Sequence, residues 1–242
     1  MIGIIGGSGF YSLSGETPTQ SVDIQTPFAE PPVTVHRESL GDNEVLFLPR
    51  HGTEHGIPPH KVNYRANLYA LKESGATHII AVNVVGGITD LMAPGTLVIP
   101  DQVIDYTWGR AHTFFDALDA VENHIDFTWP YDATLRETLV ASVAASELAC
   151  IDKGVYGCTQ GPRLETAAEI QRLKRDGCDI VGMTGMPEAS LARELQIPYA
   201  SICLVVNWAA GLDSDAISFA QISAILDTGI NDIRRVLQSA VK

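Results

Sequence analysis

The chain has 242 residues, 45% of them hydrophobic, which suffices for one large α/β domain with a substantial core or for two small ones. Its 16 basic against 29 acidic residues give a formal charge of -13, which repels nucleic-acid backbones and anionic membranes, so any bound anion must be captured by a local cluster. No apolar run approaches the roughly 18 residues of a membrane span, and no basic segment precedes the short N-terminal apolar run to make a secretory signal.

Cys150, Cys158, Cys178 and Cys203 are scattered without a C-x-x-C pair and read as reduced core or near-core thiols of a cytoplasmic protein. The chain opens on "MIGIIGGSGF", a buried-strand pattern running into Gly6, Gly7, Ser8 and Gly9. A dinucleotide fingerprint needs a third glycine where Ser12 stands and a helix directly after it. The following "YSLSGETPTQ" carries Gly15 and Pro18 and no helical period, which disfavours that reading and an NAD-dependent oxidoreductase with it. The same turn can offer backbone N–H groups and the Ser8 hydroxyl to a bare phosphate, or hold nothing; the stretch alone leaves both open.

Further buried strands are predicted at "EVLFLP", "HIIAVNVVG", "TLVIPDQVI", "DIVGM" and "YASICLVV". Helices are predicted over "KVNYRANLYALKESG", closed by Gly75, "DATLRETLVASVAASEL", "ETAAEIQRLKRDG", closed by Gly177, and "MPEASLARELQI". A last helix sets Ile222, Ile225, Leu226, Ile233, Val236 and Leu237 at helical spacing. With no linker, repeat or low-complexity tract, this order predicts a single three-layer α/β/α domain over residues 1–242, around a mixed, mostly parallel sheet. Ligands of such sheets gather at the carboxyl ends of the strands.

The residues that follow the strands are the informative ones. In "LPRHGTEHGIPPHKVNY", His51, Glu54 and His55 match the letters of a zinc-protease helix, but Gly52, Gly56, Pro58 and Pro59 leave no helix to carry them. Arg50 and His51, just past a strand, suit an anion instead, while His55 and His60 read as surface-loop residues. As a loop-borne contact, Arg50 is expected to be replaceable at a cost to anion binding and none to the fold. Gly86 and Gly87 end "AVNVVGGI", where a ligand ring can approach the backbone. Glu165 follows the Gly-Pro turn of "GPRLETAAEI" near the first turn of a helix, where a glutamate ordinarily complements the dipole. Met183 and Thr184 end a strand in "GMTGMPEASLA", and Glu188 opens the next helix. Asn207 ends the strand of "SICLVVNWAAG", its amide paired to backbone or turned toward a ligand.

Taken in order, "GIIGGSGF", "RHG", "HKVNYRANLYALKESG", "GPRLETAAEI" and "GMTGMPEASLARE" give a chain that resembles the trimeric purine nucleoside phosphorylases, most closely their methylthioadenosine phosphorylase branch, over nearly its whole length. The resemblance implies attack of inorganic phosphate on the anomeric carbon of a purine nucleoside, with phosphate as co-substrate, no metal or organic cofactor, and a homotrimer. It also implies phosphate contacts from Ser8, Arg50, His51 and Thr184, and a substrate pocket that includes Met183, Val85, Gly86 and Leu164. Where the branch has a hydroxyl residue at a strand-end phosphate contact, this chain has Asn83, whose amide can still donate.

Glu165 and Asn207 then decide the purine. Adenine-selective members usually carry an aspartate at the later strand end and a second acid two residues on; here stand Asn207 and Ala209. An asparagine serves either a 6-amino or a 6-oxo group, but the Glu165 carboxylate accepts the N1 hydrogen of a 6-oxopurine and would face a lone pair in adenine. Phosphorylases of ordinary nucleosides commonly place a histidine before the last helix; "AISFAQISAIL" has none, and Phe219 and Ile222 offer an apolar wall for a thioether. His124 resembles a residue that such trimers lend to the neighbouring subunit's site. The combination implies phosphorolysis of methylthioinosine. Relaxed methylthioadenosine or 6-oxopurine phosphorolysis is the enzymatic alternative, and a catalytically silent purine-binding protein the alternative of another class.

Overall fold

The computed structural model describes the chain except for residues 14–17, 54–55, 117–123 and 214–218, and describes Phe219 in its backbone alone. The strands are β1 (Ile2–Gly6), β2 (Gln20–Thr26), β3 (Ala29–Leu40), β4 (Asn43–Pro49), β5 (His78–Gly87), β6 (Leu97–Val98), β7 (Gln102–Asp105), β8 (Cys150–Ile151), β9 (Val155–Cys158), β10 (Ile180–Gly182) and β11 (Tyr199–Trp208). The helices are α1 (Tyr64–Glu73), α2 (Ala133–Ala145), α3 (Ala167–Arg175), α4 (Glu188–Glu194) and α5 (Phe219–Ala240), with a 3-10 turn at Pro59–Lys61.

All the described strands join one mixed sheet, ordered β2-β3-β4-β1-β5-β10-β9-β7, with β11 on the other edge of β5 and β6 and β8 beyond it. Side chains alternate across its faces, as a period of two requires. Ile5, Ile79, Ala81, Cys203 and Val205 join the core layer under α1 and α4, while Ile4, Ile80, Val82, Ile202 and Leu204 join the layer under α2 and α5. The helices begin where the sequence supplies caps: Asn63 accepts from Ala66 N, Asp132 from Leu135 N, and Thr166 forms a capping box with Glu169. The four cysteines are free, and burial pushes the Cys158 and Cys203 thiols up to about 12, which makes them inert packing groups.

Two expectations about the strands need correction. The run "TLVIPDQVI" is two strands, because Pro100 cannot donate to a ladder: Leu97–Val98 pairs with β11 and β8, and Gln102–Asp105 with β9. The long antiparallel pair β2–β3, together with β8 and β9, was not among the predicted strands.

The edge of β5 opposite β11 is shared. β1 runs beside it from His78 to Ala81 and then departs, and β10 takes the edge up, antiparallel, at Gly86 and Gly87. Between these two partners that edge of β5 is uncovered by any strand, while β11 continues along the other edge. The carboxyl ends of β1, β4, β5 and β11, all parallel neighbours, come together at this gap.

Candidate active site

The gap opens into a cavity of about 390 Å³. Its walls come from Gly7 and Ser8 after β1, Arg50 and His51 after β4, Val84, Val85 and Gly86 of β5, Gly182, Met183 and Thr184 at the end of β10, and Val206 and Asn207 at the end of β11. Pro59, Leu164, Glu165, Ala209, Ala210, Ile222 and Leu226 complete the lining. A larger hollow, about 500 Å³, shares Glu165 but contains none of the strand-end residues Arg50, His51, Thr184 or Asn207. The smaller cavity is therefore the one with convergent chemistry.

Arg50 sets the floor of one end. Its side chain is fully buried, with Nε 2.7 Å from Glu188 Oε2, Nη2 2.8 Å from Glu188 Oε1 and Nη1 donating to Val82 O at 3.1 Å, inside the gap between β1 and β10. Glu188 Oε1 also accepts from Tyr199 Oη at 2.8 Å. Burial alone would pull the guanidinium's pKa down; the Glu188 carboxylate outweighs it and holds Arg50 above its ordinary value. Of five N–H donors in a guanidinium, three are thus committed and two remain for a ligand. Gly7 permits this arrangement, because a Cβ there would lie 2.6 Å from Val82 O and 3.1 Å from Arg50 Nη1. The expectation that Arg50 can be replaced at no cost to the fold is not met, because it is half of a buried ion pair.

Around Arg50 stand the other anion candidates. His51 is buried, and its Nδ1 lies 2.8 Å from Ile57 O, a carbonyl that can only accept, so Nδ1 carries a hydrogen. Ser8 and Thr184 line the cavity, and neither hydroxyl has a hydrogen-bond partner among the described residues. Asn83 does not line it; buried in β5, it donates from Nδ2 to Ser201 Oγ at 3.0 Å, beneath the floor. Glu54 and His55, the remaining letters of the zinc-protease pattern, lie outside the described residues. Among the described residues no group of three or more His, Cys, Asp or Glu could hold a metal ion.

At the opposite end Glu165 and Asn207 share the cavity. Thr166 is the cap of α3, so Glu165 precedes the helix, and the acid in its first turn is Glu169. Dipole complementation is therefore Glu169's part and not that of Glu165. Thr159 Oγ1 donates to Glu165 Oε1 at 2.5 Å, which leaves Oε2 for a ligand donor. Asn207 Nδ2 donates to Trp208 O at 2.6 Å, leaving Oδ1 and a second N–H. Met183 lies between the two ends; its Sδ packs where a Cβ of Gly161 would be, and Gly161 has φ +61°, so the turn into "GPRLE" must be glycine on both counts. Ile222 and Leu226 supply an apolar wall from α5. His124 is exposed and outside this cavity, and the side chain of Phe219 lies outside the described residues.

A profile of the phosphorylase superfamily matches residues 1–242. The chain belongs to that superfamily. It is 53% identical over 97% of its length, and 95% of the relative's, to a probable S-methyl-5'-thioinosine phosphorylase of Pseudomonas syringae pv. tomato. It is 42% identical to the 6-oxopurine nucleoside phosphorylase of Pyrococcus furiosus, over 99% of this chain and 91% of that one. Among solved structures, methylthioadenosine phosphorylase from Schistosoma mansoni in complex with adenine superposes with a TM-score of 0.92 at 33% identity, covering 99% of this chain and 90% of that one. As a phosphorylase of nucleosides the protein is a pentosyltransferase enzyme.

Three residues of this phosphorylase site escape a reading of the sequence. Glu188 reads only as a helix opener, and Thr159 and Arg110 carry no sequence signal. The partners of Glu188 and Arg110 lie far along the chain, 138 residues away for Glu188 and Arg50, and although Thr159 is only six residues from Glu165, no period or spacing points to any of the three.

Proposed function

We propose that the protein catalyses phosphorolysis of S-methyl-5'-thioinosine to hypoxanthine and 5-methylthioribose 1-phosphate. The observation that carries this reading is the pairing within one cavity of an acceptor carboxylate and an amide, Glu165 and Asn207, with the Arg50, His51, Ser8 and Thr184 cluster. The relatives at 53% and 42% identity, whose names specify 6-oxopurine or thioinosine substrates, support it.

In this reading phosphate rests on Ser8, Arg50, His51 and Thr184, the ribose on Met183, and the purine between Glu165 and Asn207, beside Val85, Gly86 and Leu164. A phosphate oxygen forms a bond to C1' as the C1'–N9 bond breaks, the bonding pair leaves with the purine, and the proton that hydrogen phosphate gives up ends on the released base. Positive charge developing on the sugar is met by the held anion, while negative charge on the base is met by the Asn207 N–H at N7. Glu165 Oε2 accepts the N1 hydrogen that only a 6-oxopurine carries. Ile222 and Leu226 face the methylthio group. Asn83, which does not line the cavity, is left out of the phosphate contacts.

The whole chain acts as one domain, and three copies form the working enzyme in the cytoplasm, with His124 of each lent to its neighbour's 5' pocket. The exposure of His124 and of the apolar Leu91, Trp108 and Trp129 supports an assembly. Release of free base from methylthioinosine, methylthioadenosine, inosine and adenosine, each with and without phosphate, tests the reaction. Turnover that survives phosphate omission would make the protein a hydrolase, and absence of turnover on all four would make it a binding protein. Sedimentation of a fully active monomer would refute the trimer.

A further inference from the structure

Arg110 is buried and takes no direct part in the cavity lining, yet all its donors are engaged. Nε donates to Gln160 Oε1 at 3.2 Å, Nη1 to Tyr64 Oη at 3.2 Å and to Met186 O at 2.5 Å, and Nη2 to Thr159 O at 3.3 Å and Gln160 O at 2.9 Å. Every acceptor is neutral, and among the described residues no carboxylate stands within ion-pair distance of it. A buried cation without a counter-charge is costly, and it is held here by those five hydrogen bonds and by the Tyr64 ring, whose centroid lies 5.4 Å from Cζ.

The five acceptors sit behind three different walls of the cavity. Thr159 and Gln160 begin the turn that ends in Leu164 and Glu165, and the Thr159 hydroxyl holds the Glu165 carboxylate directly. Met186 follows Met183 and Thr184 on the loop after β10. Tyr64 Oη donates onward to Pro59 O at 2.9 Å, and Pro59 lines the cavity. The turn at Gly161 also packs on Met183, so the purine and phosphate walls touch at the ribose floor and are pinned together behind it.

Resting on the phosphorolysis reading above, we propose that Arg110 is a positioning residue: its planar fork sets the spacing between the Glu165 wall and the Thr184 wall, and so the distance between the anomeric carbon and the attacking phosphate oxygen. Such a role acts on the rate of bond exchange and not on the affinity for either reactant, because each wall keeps its own ligand contacts. Misplacement of reacting groups by about 1 Å costs on the order of a hundredfold in rate. Lysine, with three donors on one nitrogen, cannot span three walls.

The test uses the full-length enzyme with methylthioinosine and inorganic phosphate, and hypoxanthine and phosphate separately in calorimetry. Arg110→Met is expected to lower kcat about a hundredfold, to leave both KM values and both binding constants within about threefold, and to be rescued only slightly by Arg110→Lys. Wild-type enzyme that turns over no nucleoside would defeat the phosphorolysis reading itself, before any variant is compared. With an active wild type, a folded Arg110→Met whose kcat is within threefold, or whose loss lies in KM, overturns the positioning role. If Arg110→Met does not fold, Tyr64→Phe, which removes one hydroxyl between Arg110 and Pro59, decides the matter. A kcat reduced by about tenfold at unchanged KM upholds the inference, and an unchanged kcat overturns it.

Discussion

Arg50 and Glu188 close on each other through two parallel hydrogen bonds of 2.7 and 2.8 Å, with both side chains fully buried, at the edge of the cavity that Arg50 also lines. The pair is electrically neutral as a unit. In the proposed phosphate site it would contribute two oriented N–H groups held rigidly, with the attraction shared among them, His51 and the hydroxyls of Ser8 and Thr184.

Breaking that pair from either side strands a charge. Arg50→Ala and Glu188→Gln are each expected to destabilise the fold by about 3–5 kcal/mol, with the amide of the second toward the lower figure because one acceptor survives. Replacing both together, Arg50→Met with Glu188→Met, should recover most of that stability and none of the phosphate use. Denaturant unfolding read beside the phosphate KM checks this; additive losses of stability would show that the two charges do not compensate one another.

In the proposed reading, base choice is carried by Glu165 and Asn207. Wild-type enzyme should prefer methylthioinosine over methylthioadenosine by at least about a hundredfold, since adenine leaves the carboxylate without a donor. Asn207→Asp should move the ratio toward the amino purine only partly, and Glu165→Gln, whose amide can donate to N1 of adenine, should extend the shift. The two changes should be non-additive, because both touch one ring. Specificity constants for both substrates across the four proteins measure it, and a wild-type preference for methylthioadenosine would overturn the assignment.

Thr159 holds Glu165 Oε1 at 2.5 Å. Thr159→Val keeps the shape and removes the donor, so kcat/KM for the 6-oxopurine substrate should fall by about ten- to a hundredfold, the worth of one hydrogen bond to a charged group. Circular dichroism and melting should barely change. An unaltered specificity constant would mean that the carboxylate is aimed by its backbone alone.

Acid should loosen the start of α3 first. Glu169 is held down to about 2 by the Arg163 side chain and then by the Thr166 backbone N–H. A carboxyl lowered in the folded state gives stability that is full above its unfolded value near 4.5 and fades as pH falls toward 2. The pair is exposed, so the effect is small and screened by salt. Hydrogen exchange of the α3 amides should accelerate across that window in the wild type and show a shallower dependence in Glu169→Gln.

Much of this architecture is legible in the residue pattern, and what is not has physical reasons. The strands of the central gap are dense apolar runs, and α1 to α3 carry their caps or terminating glycines in plain view. The β2–β3 pair is hidden because it alternates with exposed polar residues and carries Pro31 and Pro32, which read as loop. In β9, Gly157 interrupts a strand of four residues. The cavity-lining residues announce themselves by standing after strands. Glu188 and Arg110 do not, because each acts on residues that only tertiary packing brings near, and Thr159 does not, because its reach to Glu165 across an irregular turn follows no helix or strand period.

The uncovered stretch of β5 between β1 and β10 bears on how the site comes into being. Ser8 and Asn207 lie near opposite ends of the chain, and between them β4, β5 and β10 must all have found their partners before the walls face one another. Pairings of such long sequence separation are the slow ones to form. No partial assembly of the sheet contains the cavity, so a chain still searching for its last strand has helices and apolar surface to show but nowhere to hold a substrate, and catalytic competence is a property of the last step of folding.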